Sequence, residues 1–160
     1  MARLISVHEY EVKPGTDPER FEQTLRDAEA RGLFDLPGLI SHHFVKGVKG
    51  ARRDAYAAIW VYESRDVWER LWGTPEHPKT PAEYPEQWRL WENQFLLPVL
   101  STDPDAIRFT SYEELRLGAG EQISVKGPSA EGGQKMTRLR PAPRGSAPRG
   151  TRRSEPRGTR

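Results

Sequence analysis

The sequence predicts an α+β fold of order β-α-β-β-α-β: a four-stranded antiparallel sheet with its helices on one face. Three observations point there. Bulky residues alternate with period two in "LISVHEYEV", "LISHHFVKG" and "AYAAIWVYE", while spacings of three and four mark helices elsewhere. The second and third of these strands are joined only by "VKGARRD", a connection short enough to make them antiparallel neighbours. In "YAAIWVYESRDVWERLW", Tyr56 to Trp72, one rhythm turns into the other, so a strand runs into a helix with almost no loop.

Each element has a local cause. Leu4 to Val12 is rich in β-branched and aromatic residues and forms the first strand. Asp17 is a good N-cap, Pro18 suits the first helical position, and Glu19 faces the positive end of the helix dipole. That helix runs through Phe21, Leu25 and Ala28 to about Arg31, and Gly32 and Pro37-Gly38 end it. Leu39 to Gly47 and the strand ending at Glu63 make the hairpin. Ser64 then caps a helix with Val67, Trp68, Leu71 and Trp72 on one face. Residues 73 to 87 contain four prolines and cannot be one regular element. Helical spacing resumes with Trp88, Trp91, Phe95 and Val99, and Pro98 should kink or end it. Asp105 to Leu115, alternating through Ile107, Phe109 and Ser111, is the last strand. This order is the split βαβ arrangement called ferredoxin-like.

Charge divides the chain. Residues 1–114 hold 14 Lys/Arg against 20 Asp/Glu, and residues 115–160 hold 11 against 3. The sequence pI near 9.0 therefore describes the tail rather than the body. We assign 1–115 to one domain, with the insert at 73–87, and 116–160 to a basic Gly/Pro/Arg-rich tail. The tail has too few large apolar groups to offset chain entropy and is expected to be disordered. Its arginines suit weak, nonspecific contact with nucleic acid or acidic protein, without aromatics for base stacking. The chain lacks cysteine, which excludes disulfides, thiolate metal sites and thiol nucleophiles. Neither a signal peptide nor an apolar run of ~20 residues is present, so no membrane segment and a cytoplasmic location are expected.

"HEYEVKPG", a following helix, "WVYES" and an aromatic helix resemble the dimeric α/β-barrel superfamily. That superfamily includes NIPSNAP-like proteins, antibiotic-biosynthesis monooxygenases and heme-degrading monooxygenases. The nearest resemblance is to the NIPSNAP-like branch, in the Tyr-x-x-Lys-Pro-Gly turn after the first strand and the Tyr-Glu-Ser helix start. It spans about residues 2 to 114 and implies a homodimer whose two sheets pack face to face. The residues independently suggest a partner: Ile5, Val7, Ala57, Ile59 and Val61 occupy one strand register, and Leu4, Tyr10, Tyr56, Trp60 and Tyr62 the other. A sheet with helices on one face and apolar groups on both needs a second cover. The resemblance further implies a pocket between sheet and helices, open to a small apolar or aromatic molecule. It raises the expectation of a cofactor-independent monooxygenase-like oxidoreductase or isomerase. The enzymes of the superfamily use an asparagine in or near the sheet, whereas this chain has only Asn93, in the second helical region.

The candidate site follows. His8, on the first strand, is the candidate catalytic residue and the polar group that would replace the missing asparagine. Tyr56, Trp60, Tyr62, Trp68, Trp72, His77 and Trp88 are the candidate ligand-binding residues, with the Tyr56–Trp72 junction as floor and wall. The insert begins directly after Trp72, where a lid would be hinged. Tryptophans also serve simply as packing, each burying a large ring, and His8 could be structural. His42 and His43 are adjacent on a strand and point to opposite faces. His77 in "PEHPK" has no second ligand at helical spacing, so no metal is assigned. No cofactor is assigned either; "GAGEQ" follows the last strand but opens no helix. Glu9 and Glu11 share a register and are read as exposed charges rather than a carboxylate pair. The alternative function is a noncatalytic binding or scaffold protein whose basic tail recruits an anionic partner.

Overall fold

The computed structural model describes residues 1–118. The segment expected to be a disordered basic tail lies almost wholly outside the described residues. Four strands, β1 (Leu4–Tyr10), β2 (Leu39–Lys46), β3 (Tyr56–Tyr62) and β4 (Arg108–Glu113), form one sheet in the order β2-β3-β1-β4. Every neighbouring pair is antiparallel. Three helical segments complete the order: α1 (Pro18–Ala30), α2 (Arg65–Trp72) and α3 (Glu86–Leu90), the last continuing into a π-helical turn at Trp91–Leu96. The arrangement is the ferredoxin-like α+β fold.

The pairing register fixes which residues share a face. Ser6 lies between Trp60 and Ser111, and His8 between Ala58 and Phe109. Leu4, Ser6, His8 and Tyr10 therefore line up with Tyr56, Ala58, Trp60 and Tyr62, and all but His8 are buried. Phe21, Leu25 and Ala28 of α1, Leu71 of α2, and Trp88, Trp91 and Leu96 join them in one core. The opposite face keeps Ile5, Val7, Ile59 and Val61 half-buried, with Val45 and Tyr112 exposed. In β2 the register shifts between Leu39 and Ser41, which leaves Ile40 half-exposed and returns His42 and Phe44 to the core face.

The expected caps are in place. Asp17 accepts the Glu19 N–H at 3.0 Å, and Ser64 Oγ accepts the Val67 N–H at 3.3 Å. Gly38, just before β2, has a φ of +75°, and a Cβ there would lie 2.1 Å from Val67 Cγ1, so only glycine lets α2 pack this closely.

Two elements differ from the sequence reading. The last strand begins at Arg108 rather than Asp105, because Pro104–Ala106 form a 3₁₀ turn capped by Asp103, which accepts the Asp105 N–H at 2.9 Å. The second helical region does not stay α-helical up to Pro98. It widens at Trp91–Leu96, where the Leu97 N–H bonds to the Glu92 carbonyl at 2.9 Å. A proline ring clashes with the carbonyl four residues earlier in an α-helix, and a wider turn just before Pro98 relieves that contact.

Candidate functional site

The break between α2 and α3 leaves a cavity of about 400 Å³ between the β1/β4 side of the sheet and the helices. Its polar floor comes from the sheet. Ser6 Oγ lies 2.8 Å from Ser111 Oγ and 3.2 Å from His8 Nε2. Either His8 tautomer satisfies Nε2, and Nδ1 is buried with no partner among the described residues. Burial lowers the His8 imidazole to about 4, so the ring is neutral at pH 7.

The walls are aromatic. Tyr62, Trp68, Trp72, Tyr84, Trp88 and Phe109 all line the cavity. Trp72 meets Tyr84 at 5.3 Å and 79°, and meets Trp88 at 4.9 Å and 62°. Trp88 in turn meets His8 at 6.0 Å and 88°. Gly73, Thr74, Pro75 and Pro78 form part of the rim. This rim is tied down: residues 73 and 78 form a bridge, the Lys79 N–H bonds to the Trp72 carbonyl at 2.8 Å, and Lys79 Nζ donates to the Arg70 carbonyl at 2.6 Å.

One carboxylate sits inside the aromatic wall. Glu92, half-buried, accepts the Trp88 indole N–H at 2.8 Å. Burial, reinforced by the nearby Asp105 and Asp103, raises its carboxyl to about 7 despite the Trp88 hydrogen bond. Asp105 also lines the cavity and accepts a 3.4 Å hydrogen bond from the Tyr84 hydroxyl. A carboxyl near 7 is poised to take or give a proton at neutral pH. Among the described residues no group of three or more His, Asp or Glu side chains gathers as a metal site.

The structure thus brings His8, Tyr62, Trp68, Trp72 and Trp88 to one cavity and places the other three named residues elsewhere. Tyr56 is at the far end of β3, packed on Phe21 at 4.6 Å and donating to Glu22 at 2.7 Å. Trp60 is fully buried behind the wall, among Phe34, Phe44 and Trp88. It shares a register with Tyr62, but its ring is covered on every side. His77 is exposed at the tip of the loop closed by the bridge between residues 73 and 78, and does not line the cavity. Asn93 is exposed and also outside it. Glu9 pairs with Arg52 at 3.8 Å and Arg108 at 3.7 Å, and Glu11 pairs with Arg52.

Sequence reasoning passed over Glu92, Asp105, Tyr84, Phe109 and the Ser6–Ser111 pair as site residues. Two of them carried a signal. Glu92 is four residues after Trp88, hence on the same helical face, and Ser6 is a small polar residue in the register of His8 on an aromatic sheet face.

No protein-family profile matches the chain, and no curated protein matches it. Solved structures do. A protein from Bordetella bronchiseptica assigned as an antibiotic biosynthesis monooxygenase superposes with a TM-score of 0.50 at 9% identity, covering 72% of this chain and 100% of that one. A Dabb family protein with a ferredoxin-like fold from Mesorhizobium loti gives 0.49 at 9% identity, covering 74% and 100%. A cofactor-independent oxygenase from Streptomyces nogalater gives 0.45 at 15% identity, covering 72% and 96%. At these identities the likeness concerns the fold alone, which the strand order and helices define as ferredoxin-like.

Proposed function

We propose that this protein binds a small, largely apolar or aromatic molecule in the cavity between sheet and helices. The observation that carries this reading is the cavity of about 400 Å³ walled by six aromatic side chains, with few polar groups converging on it. Such concave, mostly apolar sites with a few placed polar atoms are the usual form of a small-molecule site. Tyr62, Trp68, Trp72 and Trp88 supply contact area, while neutral His8, held by Ser6, offers a polar anchor at the floor.

Glu92 favours a catalytic role, as a proton acceptor toward the bound molecule. The class of chemistry this supports is monooxygenase-like oxidation or isomerisation beginning with deprotonation, with His8 orienting the ligand. The narrower kinship with NIPSNAP-like proteins rests on the turn and helix-start motifs of the sequence. A noncatalytic binding protein, its basic tail holding an anionic partner, is the competing reading. The half-buried apolar face of Ile5, Val7, Ile59 and Val61, with exposed Val45 and Tyr112, further supports a homodimer closed over that face.

Saturable quenching of tryptophan fluorescence by flat hydrophobic compounds tests the binding reading, and its absence across a broad panel overturns it. Turnover of a bound compound that is abolished in Glu92→Gln separates enzyme from binding protein. Sedimentation at micromolar concentration should give twice the chain mass, and Ile59→Asp should return it to a single chain.

A further inference from the structure

We propose that the ligand of this cavity carries a positive charge: a small aromatic or alkyl ammonium, held between the aromatic walls and the carboxylates of Glu92 and Asp105. This inference rests on the cavity being a ligand site and does not depend on which chemistry follows binding.

The argument begins with the charges on the lining. Among the described residues, Glu92 and Asp105 are the acidic ones on the lining, and neither lysine nor arginine lines it. His8 contributes a neutral ring rather than a compensating cation. Among the described residues, the groups acting on Glu92 come from several elements and none is positive. Trp88 on its own helix donates a hydrogen bond, and Asp103 and Asp105 in the turn before β4 repel its charge. Tyr84 from the insert and the buried phenol of Tyr10 also lie within its electrostatic influence, and both keep their protons at neutral pH. Lys79, which ties down the rim, is engaged with the Arg70 carbonyl. An anionic ligand would enter a site already carrying uncompensated negative charge. A neutral ligand would gain nothing from the two carboxyl groups, since desolvation would simply keep Glu92 protonated beside Asp105.

The walls favour the same occupant. Ring faces carry the negative lobe of the aromatic quadrupole and attract cations, tryptophan most strongly. Here Trp72 meets Tyr84 and Trp88 at steep angles, so the three rings form walls set at corners rather than a parallel stack. An ammonium group fits such a box because its alkyl substituents satisfy the apolar surface while its charge satisfies rings and carboxylates together. A hydrated metal ion would not, since the lining offers few oxygen ligands beside the rings.

The proposal also fixes a pH response. A bound cation prefers ionised Glu92, whose carboxyl lies near 7 in the free protein. Affinity for a permanent cation should therefore rise with pH through about 7, with a proton released on binding below it.

The test uses two probes of nearly the same shape, phenyltrimethylammonium and tert-butylbenzene, titrated at low micromolar concentration into the full chain and followed by tryptophan fluorescence. At pH 8 the cation should bind at least ~10-fold more tightly than the neutral compound, and the ratio should shrink on going to pH 6. In Glu92→Gln the ratio should fall several-fold and lose its pH dependence while tert-butylbenzene still binds. Asp105→Asn, at an exposed position, should lower the ratio in the same direction and serves where the first variant folds poorly. Equal or tighter binding of the neutral probe at pH 8 overturns the charged-ligand inference alone. Binding of neither probe removes the ligand site itself, and this inference with it.

Discussion

The same face of one sheet carries two aromatic clusters with opposite fates. Over β2 and β3, Phe34, Phe44, Trp60 and Trp91 pack at ring separations of 5.0 to 5.9 Å, and Trp60 and Trp91 are fully buried. Over β1 and β4, Trp68, Trp72, Tyr84 and Trp88 enclose space. The residue types barely differ; the cover does. The first cluster lies beneath a segment that brings Leu33, Phe34 and Leu36 into the core directly after α1. The second meets a proline-rich stretch that cannot continue the helix and does not fill the gap. The polar atoms follow suit. The indole N–H of Trp60 is buried without a partner among the described residues, whereas that of Trp88 has Glu92. Aromatic content therefore predicts burial, and whether the covering segment carries apolar side chains into the gap decides between core and cavity.

The largest expected difference is in stability. Trp60→Ala should cost about 3–5 kcal/mol in urea unfolding, as truncation of a fully buried large aromatic does. Trp60→Phe should cost less than its lost area implies, because it also removes an unpaired buried N–H. Comparable costs for Trp60→Ala and Trp72→Ala would erase the distinction between the clusters.

Next comes the pH dependence of the open cluster. His8 is held below its ordinary value, so its contribution to stability is present above about 6.5 and lost as pH falls through about 4. Glu92 is held above its ordinary value, so its contribution is present below about 4.5 and lost as pH rises through about 7. Between about 4.5 and 6.5 the two slopes oppose, and wild-type stability should be nearly flat. His8→Phe should expose the falling slope and Glu92→Gln the rising one. Each should amount to ~2 kcal/mol across the window, reduced from the full shift for solvent screening. A stability curve that stays flat in both variants would mean the cavity is wetter than its lining implies.

Two smaller effects bear on the wall itself. Trp72→Ala should weaken binding of flat ligands about tenfold, about 1.4 kcal/mol, with only a minor change in unfolding midpoint. Trp88→Phe removes the donor to Glu92 and should raise that carboxyl by up to about one unit, measurable by NMR titration. No movement would mean the indole contact contributes little to the charged form.

The sequence shows the fold well because its signals are local. Asp17 and Ser64 are caps, Gly38 is a turn, and the alternation of Tyr56, Trp60 and Tyr62 places them on one face whatever lies above. The site is harder to see, because what lies above is the whole question. Periodicity groups Tyr56 and Trp60 with Tyr62, yet only Tyr62 lies beneath the gap. Tyr56 meets Phe21 of α1, and Trp60 meets Phe34 from the segment after it. His77 fails for another reason: the bridge between residues 73 and 78 makes its loop too tight to bring the ring inward. Glu92 escaped notice because a glutamate on a helix is ordinarily a solvated charge. Burial in the folded protein, with Asp105 and Asp103 close by, is what raises its proton affinity.

The tethered rim has a consequence for the time course of binding. Gly73 holds a φ of +86°, its Cβ position lies 2.5 Å from the His77 carbonyl oxygen, and Lys79 fastens the far side to the end of α2. A loop fixed at both ends by backbone bonds cannot swing open without fraying the helix. Entry should accordingly be a single encounter, with an observed rate that climbs in proportion to ligand concentration. It should reach no plateau of the kind a slow gate imposes, and differences among ligands should lie in how long each one stays.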